Sequence, residues 1–372
     1  MSGVIHFFRR NMMMTVAMFA ALFTVFFVPV DRAYLNYIDV KTIVCLFCVL
    51  AVVCALKDVN FFYMLARKIV EYFHTTRLCV LALVYITFVG SMLIANDMAL
   101  LTFLPLGYYV LASTHKEKYM AYVFILQNIA ANLGGMLTPF GNPQNLYLYT
   151  RFHIGNVDFI RIMFPPFLLA IILVTICCFW VKSEPMTLSG VPGDEARHRG
   201  KTVLYLLLFA LSIAIVFRSV PYWLGLIIIP TVLILADRHA LQMVDYPLLL
   251  TFIFFFIFAG NMARIEVVRS FIGMLLEKNT LIFSTLCCQF ISNVPSAILL
   301  SGFTGNYADL LVGVNIGGVG TLIASLASLI TFREYLRHNP GKGKYYIALF
   351  SLMNFGFLFI MIGFEFLLKY ML

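Results

Sequence analysis

Apolar residues run along this chain in long blocks, without the 3.6- or 2-residue spacing of an amphipathic helix or a half-buried strand. Nine blocks come near the ~20 residues a helix needs to cross a bilayer: Met12 to Val30, Val40 to Leu56, Tyr119 to Leu137, Phe159 to Val181, Thr202 to Phe217, Pro221 to Ala236, Tyr246 to Gly260, Ala308 to Ile330 and Tyr345 to Leu368. The pattern predicts an all-α polytopic membrane protein with about nine transmembrane helices, its apolar faces turned to the lipid bilayer. Arg9 and Arg10 precede the first block as they would in a signal peptide. That run exceeds the usual ~7–15 residue apolar region, and Val28-Pro29-Val30 is a poor cleavage site, so it reads as the first membrane helix.

Two further apolar stretches, Leu78 to Leu111 and Leu281 to Gly302, are interrupted midway by Ala95-Asn96-Asp97 and by Ser292-Asn293-Val294-Pro295. At ~1.5 Å per residue, Val294 to Gly302 reaches only about 14 Å into a ~30 Å hydrocarbon core. The second therefore reads as a re-entrant helical hairpin. The first, with apolar arms of 17 and 14 residues and no loop at its tip, reads as one too, although two full crossings there would return to the same side. Counting them so keeps most of the 26 Lys and Arg on one side, the cytoplasmic side that also holds the N-terminus. The expected location is the inner membrane.

The chain also repeats. Asn132-Leu133-Gly134-Gly135 recurs as Asn315-Ile316-Gly317-Gly318, 183 residues later in a chain of 372. Each copy follows a hairpin with Asn at its tip and precedes one more crossing. The hairpins enter from opposite sides, so the repeats are inverted. The expected divisions are a first repeat over 1–181 (hairpin 78–111, broken helix 119–153), a cytoplasmic linker over 182–201, a connecting helix over 202–220 and a second repeat over 221–372 (hairpin 279–302, broken helix 307–332). Asp58 to Arg77, which mixes Arg67, Lys68 and Glu71 with Phe61, Phe62 and Met64, suits a helix lying at the membrane surface or packed on the protein.

Composition agrees with this picture and removes alternatives. The chain is 62% apolar and 12% charged, too little polar surface for a soluble protein. Its net charge of +9 belongs to cytoplasmic loops, so no nucleic-acid partner is expected. All eight cysteines lie in apolar runs and read as buried packing residues rather than a disulfide or metal framework. No catalytic motif appears and the histidines form no cluster, so no enzyme and no resident cofactor are expected.

The candidate chemistry lies in four interruptions: Ala95-Asn96-Asp97, Thr138 to Asn145, Ser292 to Pro295, and Asn315 to Thr321. Non-helical backbone at membrane depth is tolerated only inside protein or against a water-filled cavity, and paired breaks in inverted halves mark a midplane site. Helix starts there attract anions. Asn142 has the position to cap a helix with Pro143 first in it, and Asn293 to cap one before Pro295. Side-chain oxygens and freed carbonyls suit a hard cation. The expected binding residues are Asn96, Asp97, Asn132, Thr138, Gly141, Asn142, Pro143, Asn145, Ser292, Asn293, Asn315, Gly317, Gly320 and Thr321, with Na⁺ drawing on Asn96, Asp97, Asn142, Asn293 and Asn315. Asp97, an acid deep in an apolar stretch, is the candidate coupling-ion ligand or proton carrier. Asp309 and Glu365 lie nearer segment ends and are expected at interfaces.

At the same four interruptions the chain resembles the ion transporter superfamily, which includes divalent-anion:sodium symporters, citrate transporters, arsenite permeases and some Na⁺/H⁺ antiporters. Ser292 and Asn293 match two residues of the symporters' Ser-Asn-Thr tip, and Gly141-Asn142-Pro143-Gln144-Asn145 resembles their Gly-Thr-Pro-Pro-Asn. Asn96-Asp97 is closer to the permease and antiporter branches. The resemblance implies a secondary transporter moving a small anion with Na⁺ or H⁺, and a homodimer. Arsenite-type efflux or Na⁺/H⁺ exchange through Asp97, and a passive channel, are the alternatives.

Overall fold

The computed structural model describes residues 11–62, 64, 68, 72–185 and 199–371. Arg9, Arg10, most of the 182–201 linker and part of the expected surface helix before Arg77 lie outside the described residues. Along the described chain run α1 (Met12–Val25), α2 (Tyr34–Tyr37), α3 (Val40–Asp58), α4 (Thr76–Ile94), α5 (Asn96–Ser113), α6 (Met120–Gly134), α7 (Pro143–Arg151), α8 (Asn156–Phe179), α9 (Arg199–Val216), α10 (Tyr222–Ala236), α11 (Arg238–Gln242), α12 (Tyr246–Arg264), α13 (Glu266–Ile291), α14 (Asn293–Leu300), α15 (Tyr307–Ile316), α16 (Leu326–His338) and α17 (Gly343–Met371). The fold is all-α: among the described residues there is no strand, only one isolated bridge between Thr75 and Pro185. Lys116 and Lys118 both reach Glu184 beside that bridge. The Lys116 hydrogen bond holds the Glu184 carboxyl below its usual range.

Seven helical segments are long and apolar enough to cross a membrane, and α1, α9, α10 and α15 are shorter apolar helices. The starts are set locally. The carboxylate of Asp39 accepts from Thr42 N at 3.1 Å and that of Asp245 from Leu248 N at 3.0 Å, each opening a helix. On α8, Ile160, Phe164, Leu168, Ile172 and Ile176 form an exposed apolar stripe at four-residue spacing, a face for lipid. In α6 every residue except Tyr122 is buried. All eight cysteines are free, six of them buried.

The helices sort into two groups. One consists of α1, α3, α9, α10 and α12, with α1 lying along α12, and α9 and α10 along α3; the other holds the two hairpins, the broken helices, α8 and α17. The groups meet where α3 packs on α7 and α12 on α14.

The hairpins differ from the sequence expectation in length. The arms of the first, α4 and α5, have 19 and 18 residues, because both helices continue past their apolar limits into Thr76 and Ser113. Arm length therefore does not fix the depth of the tip. The tip is fixed instead relative to the broken helix: Asn96 N donates to Gly141 O at 3.1 Å. In the second, extended backbone at Asn279 divides α13 before the hairpin arm. Glu365, expected at an interface, is instead buried at 5% exposure on α17. Asp309 meets Lys369 at 2.5 Å.

The two tips share one backbone conformation. Ala95 has φ 64° and ψ 150°, and Ser292 has φ 74° and ψ 159°, a region that is essentially glycine's own and costs ~1–3 kcal/mol for other residues. Each tip then makes the corresponding bond to its own broken helix, Asn96 N to Gly141 O at 3.1 Å and Asn293 N to Ala324 O at 2.9 Å. Thr138 Oγ1 donates to Met92 O at 2.7 Å, and Thr321 Oγ1 to Gln289 O at 3.0 Å. Gly134 presses on Phe88 and Ser91 of α4, and Gly317 on Cys288 of α13, leaving no room for a Cβ. These contacts hold the strained tips in place. Ala95→Gly should therefore raise the thermal unfolding midpoint of the purified protein, by about 1 kcal/mol of strain relieved, whereas Ala99→Gly inside α5 should lower it by about as much. Equal destabilisation by both would show that the tip is unstrained.

Candidate functional site

The two broken helices supply the centre of the molecule with amides. After α6 the chain passes through a 3₁₀ turn at Gly135–Leu137 and resumes as α7, with Asn142 preceding and Pro143 as its first residue. Asn142 holds the N-cap position, but its side chain does not cap. Its Nδ2 donates instead to Asn132 O and to Asn315 Oδ1, both at 3.1 Å. Asn315 returns the connection, its Nδ2 donating to Asn145 Oδ1 at 2.6 Å. Asn145 Nδ2 lies 3.2 Å from each of the carbonyls of Gly135, Met136 and Thr138, the backbone that the break sets free. Gln289 serves the other break, its Nε2 reaching Gly317 O at 3.0 Å and Val319 O at 3.3 Å.

Both hairpin tips reach this cluster. Asn96 Nδ2 donates to Asn132 Oδ1 at 3.2 Å. Asn293 is not the cap of α14, since Ser292 precedes the helix; its Oδ1 accepts from Val294 N at 2.9 Å, just as Asn96 Oδ1 accepts from Asp97 N at 2.9 Å. Gly318 separates Asn293 from Asn132, and a Cβ there would lie 3.1 Å from one side chain and 3.5 Å from the other. Asn96, Asn132, Asn142, Asn145, Ser292, Asn293 and Asn315 are all buried. They form one region drawn from both halves.

The remaining expected residues stand around that region. Thr138, Thr321, Gly317 and Gly320 fasten the breaks to the hairpin arms; Gly320 has φ 129° and faces the Gln289 amide. Gly141 packs on Gly135 and Thr138 and accepts from the tip. Pro143 and Asp97 line a narrow cavity of about 70 Å³, shared with Asp245 and walled mainly by apolar side chains such as Leu46, Leu50 and Phe140. Three buried acceptors, Asp97 Oδ1 in this cavity and Asn142 Oδ1 and Gln144 Oε1 in the amide cluster, have no hydrogen-bond partner. Unpaired buried acceptors are costly, and oxygens of this kind are what a hard cation coordinates. Among the described residues no group of three His, Cys, Asp or Glu has the grouping of a metal site.

A profile of the citrate transporter family, CitMHS, matches residues 4–310. The chain belongs to this family. It is 32% identical over 299 residues to the uncharacterized transporter MJ0456 of Methanocaldococcus jannaschii, covering 80% of this chain and 82% of that one. It is 31% identical over 315 residues to the inner membrane protein YbiR of Escherichia coli K12, covering 83% of each. This citrate transporter family member is a multi-pass membrane transporter.

Several residues of the transporter's cluster escaped the sequence reading. Gln289 was visible only as a lone polar residue in an apolar helix. Ser325 and Ser328 stand at the same offset from Asn142 and Asn145 as Asn315 from Asn132, so the repeat extends further than its Asn-Gly-Gly core suggests. Ser325 caps α16, accepting from Ser328 N at 3.3 Å, and Asn128 Nδ2 donates to Ser328 Oγ at 3.3 Å, joining α6 to α16.

Asn142→Asp would place a carboxylate oxygen where the amide nitrogen faces two acceptors, Asn132 O and Asn315 Oδ1. It should destabilise the detergent-purified transporter by more than Asn142→Ala, itself expected to cost about 1–3 kcal/mol. A melting temperature for Asn142→Asp at or above that of Asn142→Ala would contradict this donor assignment.

Proposed function

We propose that the protein is a secondary active transporter that moves a small organic or inorganic anion across the inner membrane, coupled to Na⁺ or H⁺, by alternating access. In this reading the N-terminus lies on the cytoplasmic side, as the basic-residue bias suggests. What carries the reading is the meeting of α5, α7, α14 and α16 at their N-terminal ends beside buried acceptor oxygens that lack donors. Four helix N-termini supply positive dipole ends for an anion. Asn142 Oδ1, Gln144 Oε1 and Asp97 Oδ1 supply acceptors for Na⁺ or, at Asp97, a proton. One centre thus serves both signs of charge without an arginine. Coupling is physically required for uptake against the membrane potential, since each elementary charge moved through 100 mV is worth about 2.3 kcal/mol. The family's citrate transporter description and YbiR's description as an inner membrane protein support the substrate class and the location.

Asp97 favours a second reading, efflux or cation exchange without an organic anion, because it shares its cavity with another carboxylate, Asp245. One substitution separates the two. In proteoliposomes, uptake of citrate or another small anion should follow an imposed Na⁺ or proton gradient. In Asp97→Asn, anion binding should survive with the ion dependence altered. Flux indifferent to both gradients would sink the first reading, and cation exchange abolished by Asp97→Asn with no anion bound would install the second.

A further inference from the structure

A second cavity stands apart from the amide cluster. It measures about 600 Å³ and lies between the start of α3, the ends of α7 and α12, and the end of α14. That volume falls within the ~300–1,000 Å³ of small-molecule sites. Its floor is a buried hydrogen bond of 2.7 Å between the hydroxyls of Tyr147 on α7 and Ser301 just past α14. Tyr147 lies five residues along α7 from Asn142, or about 7 Å at 1.5 Å per residue, so the cavity stands one short step from the amide cluster.

Its charge is one-sided. Lys41, Arg151 and Arg264 line it against a single carboxylate, Asp39. Asp39 is already engaged by Thr42, through the backbone N at 3.1 Å and Oγ1 at 2.7 Å. Arg264 is held at the rim by Asp31, at 2.8 Å, and by the Tyr37 hydroxyl, at 3.1 Å. Lys41 and Arg151 have no ion-pair partner among the described residues. They approach from the two different helix groups, one at the start of α3 and one at the end of α7.

We propose that this cavity is an antechamber that binds a carboxylate or oxyanion between Lys41 and Arg151 before it passes the Tyr147–Ser301 floor. A recess lined by one sign of charge focuses its field on the mouth and raises the local concentration of counter-ions. The site is separate from the amide cluster, and it rests on the anion-transport reading for its ligand class.

The test needs no transport. Ala263, which also lines the cavity, is replaced as Ala263→Cys in the full-length protein with its eight native cysteines changed to Ser or Ala. The cysteine is then labelled in detergent with anionic, cationic and neutral methanethiosulfonates. Relative to free thiol, and normalised to the neutral reagent, the anionic reagent should react about 10-fold faster than the cationic one. The ratio should fall to near one in Lys41→Gln/Arg151→Gln. Citrate at 10 mM should slow labelling more than NaCl of equal ionic strength, and only while Lys41 and Arg151 are present. A ratio of one in the parent, a ratio unchanged by the double substitution, or protection by citrate no better than by NaCl would each overturn the proposal. The neutral reagent reports a misfolded variant, in which case Lys41→Gln and Arg151→Gln are read singly. Labelling as expected alongside gradient-indifferent flux would leave the antechamber standing and remove only the transport reading.

Discussion

Backbone that stops being helical in hydrocarbon must find new partners for its N–H and C=O groups, and this requirement organises the molecule. The partners are amide side chains. Asn145 covers three carbonyls freed by the first break, and Gln289 covers two freed by the second. The hairpin tips contribute backbone donors, Asn96 N to Gly141 O and Asn293 N to Ala324 O. Because Asn142 and Asn315 bond to each other, satisfying one break draws in the other half of the chain. Convergence at the centre follows from the cost of leaving those groups unpaired.

The two halves share a frame and differ in chemistry. Ala95 and Ser292 have the same strained backbone, and Thr138 and Thr321 make the same bond to a hairpin arm. Behind that frame, Asp97 occupies the place of Val294, Asn142 that of Ser325 and Asn145 that of Ser328. Most of the amide and acid functions therefore lie in the first half. A symmetric scaffold with an asymmetric lining suits a site that must hold two unlike partners. The strain at the tips, ~1–3 kcal/mol each, is the sort of stored energy that accumulates at functional positions.

The all-α class, the placing of most long helices, the hairpin tips and the Asn-Gly-Gly repeat were legible in the sequence, because lipid exposure and unwound backbone both leave compositional marks. The pairing of side chains was not. Asn142 and Asn293 looked like helix caps by position, yet Asn142 reaches across to Asn315, and Ser292 precedes α14 where Asn293 had been expected to cap it. Local grammar says where a helix begins but not which tertiary partner outbids the cap. The arms are longer than their apolar runs for a related reason: α4 and α5 continue through Thr76 and Ser113, since helical hydrogen bonds form whatever the polarity of the side chain. The burial of Glu365 and the cavity beside Arg151 depend on which helices become neighbours, information that apolar runs do not carry.

Convergence of the two halves is tested most directly at Asn128 and Ser328, 3.3 Å apart across α6 and α16. With Cys at both positions in an otherwise cysteine-free chain, a short membrane-permeant bifunctional thiosulfonate should join them within one polypeptide. A protease site engineered between them would then leave the two fragments migrating together. If each cysteine labels singly but the fragments always separate, the halves do not share a centre and the account fails.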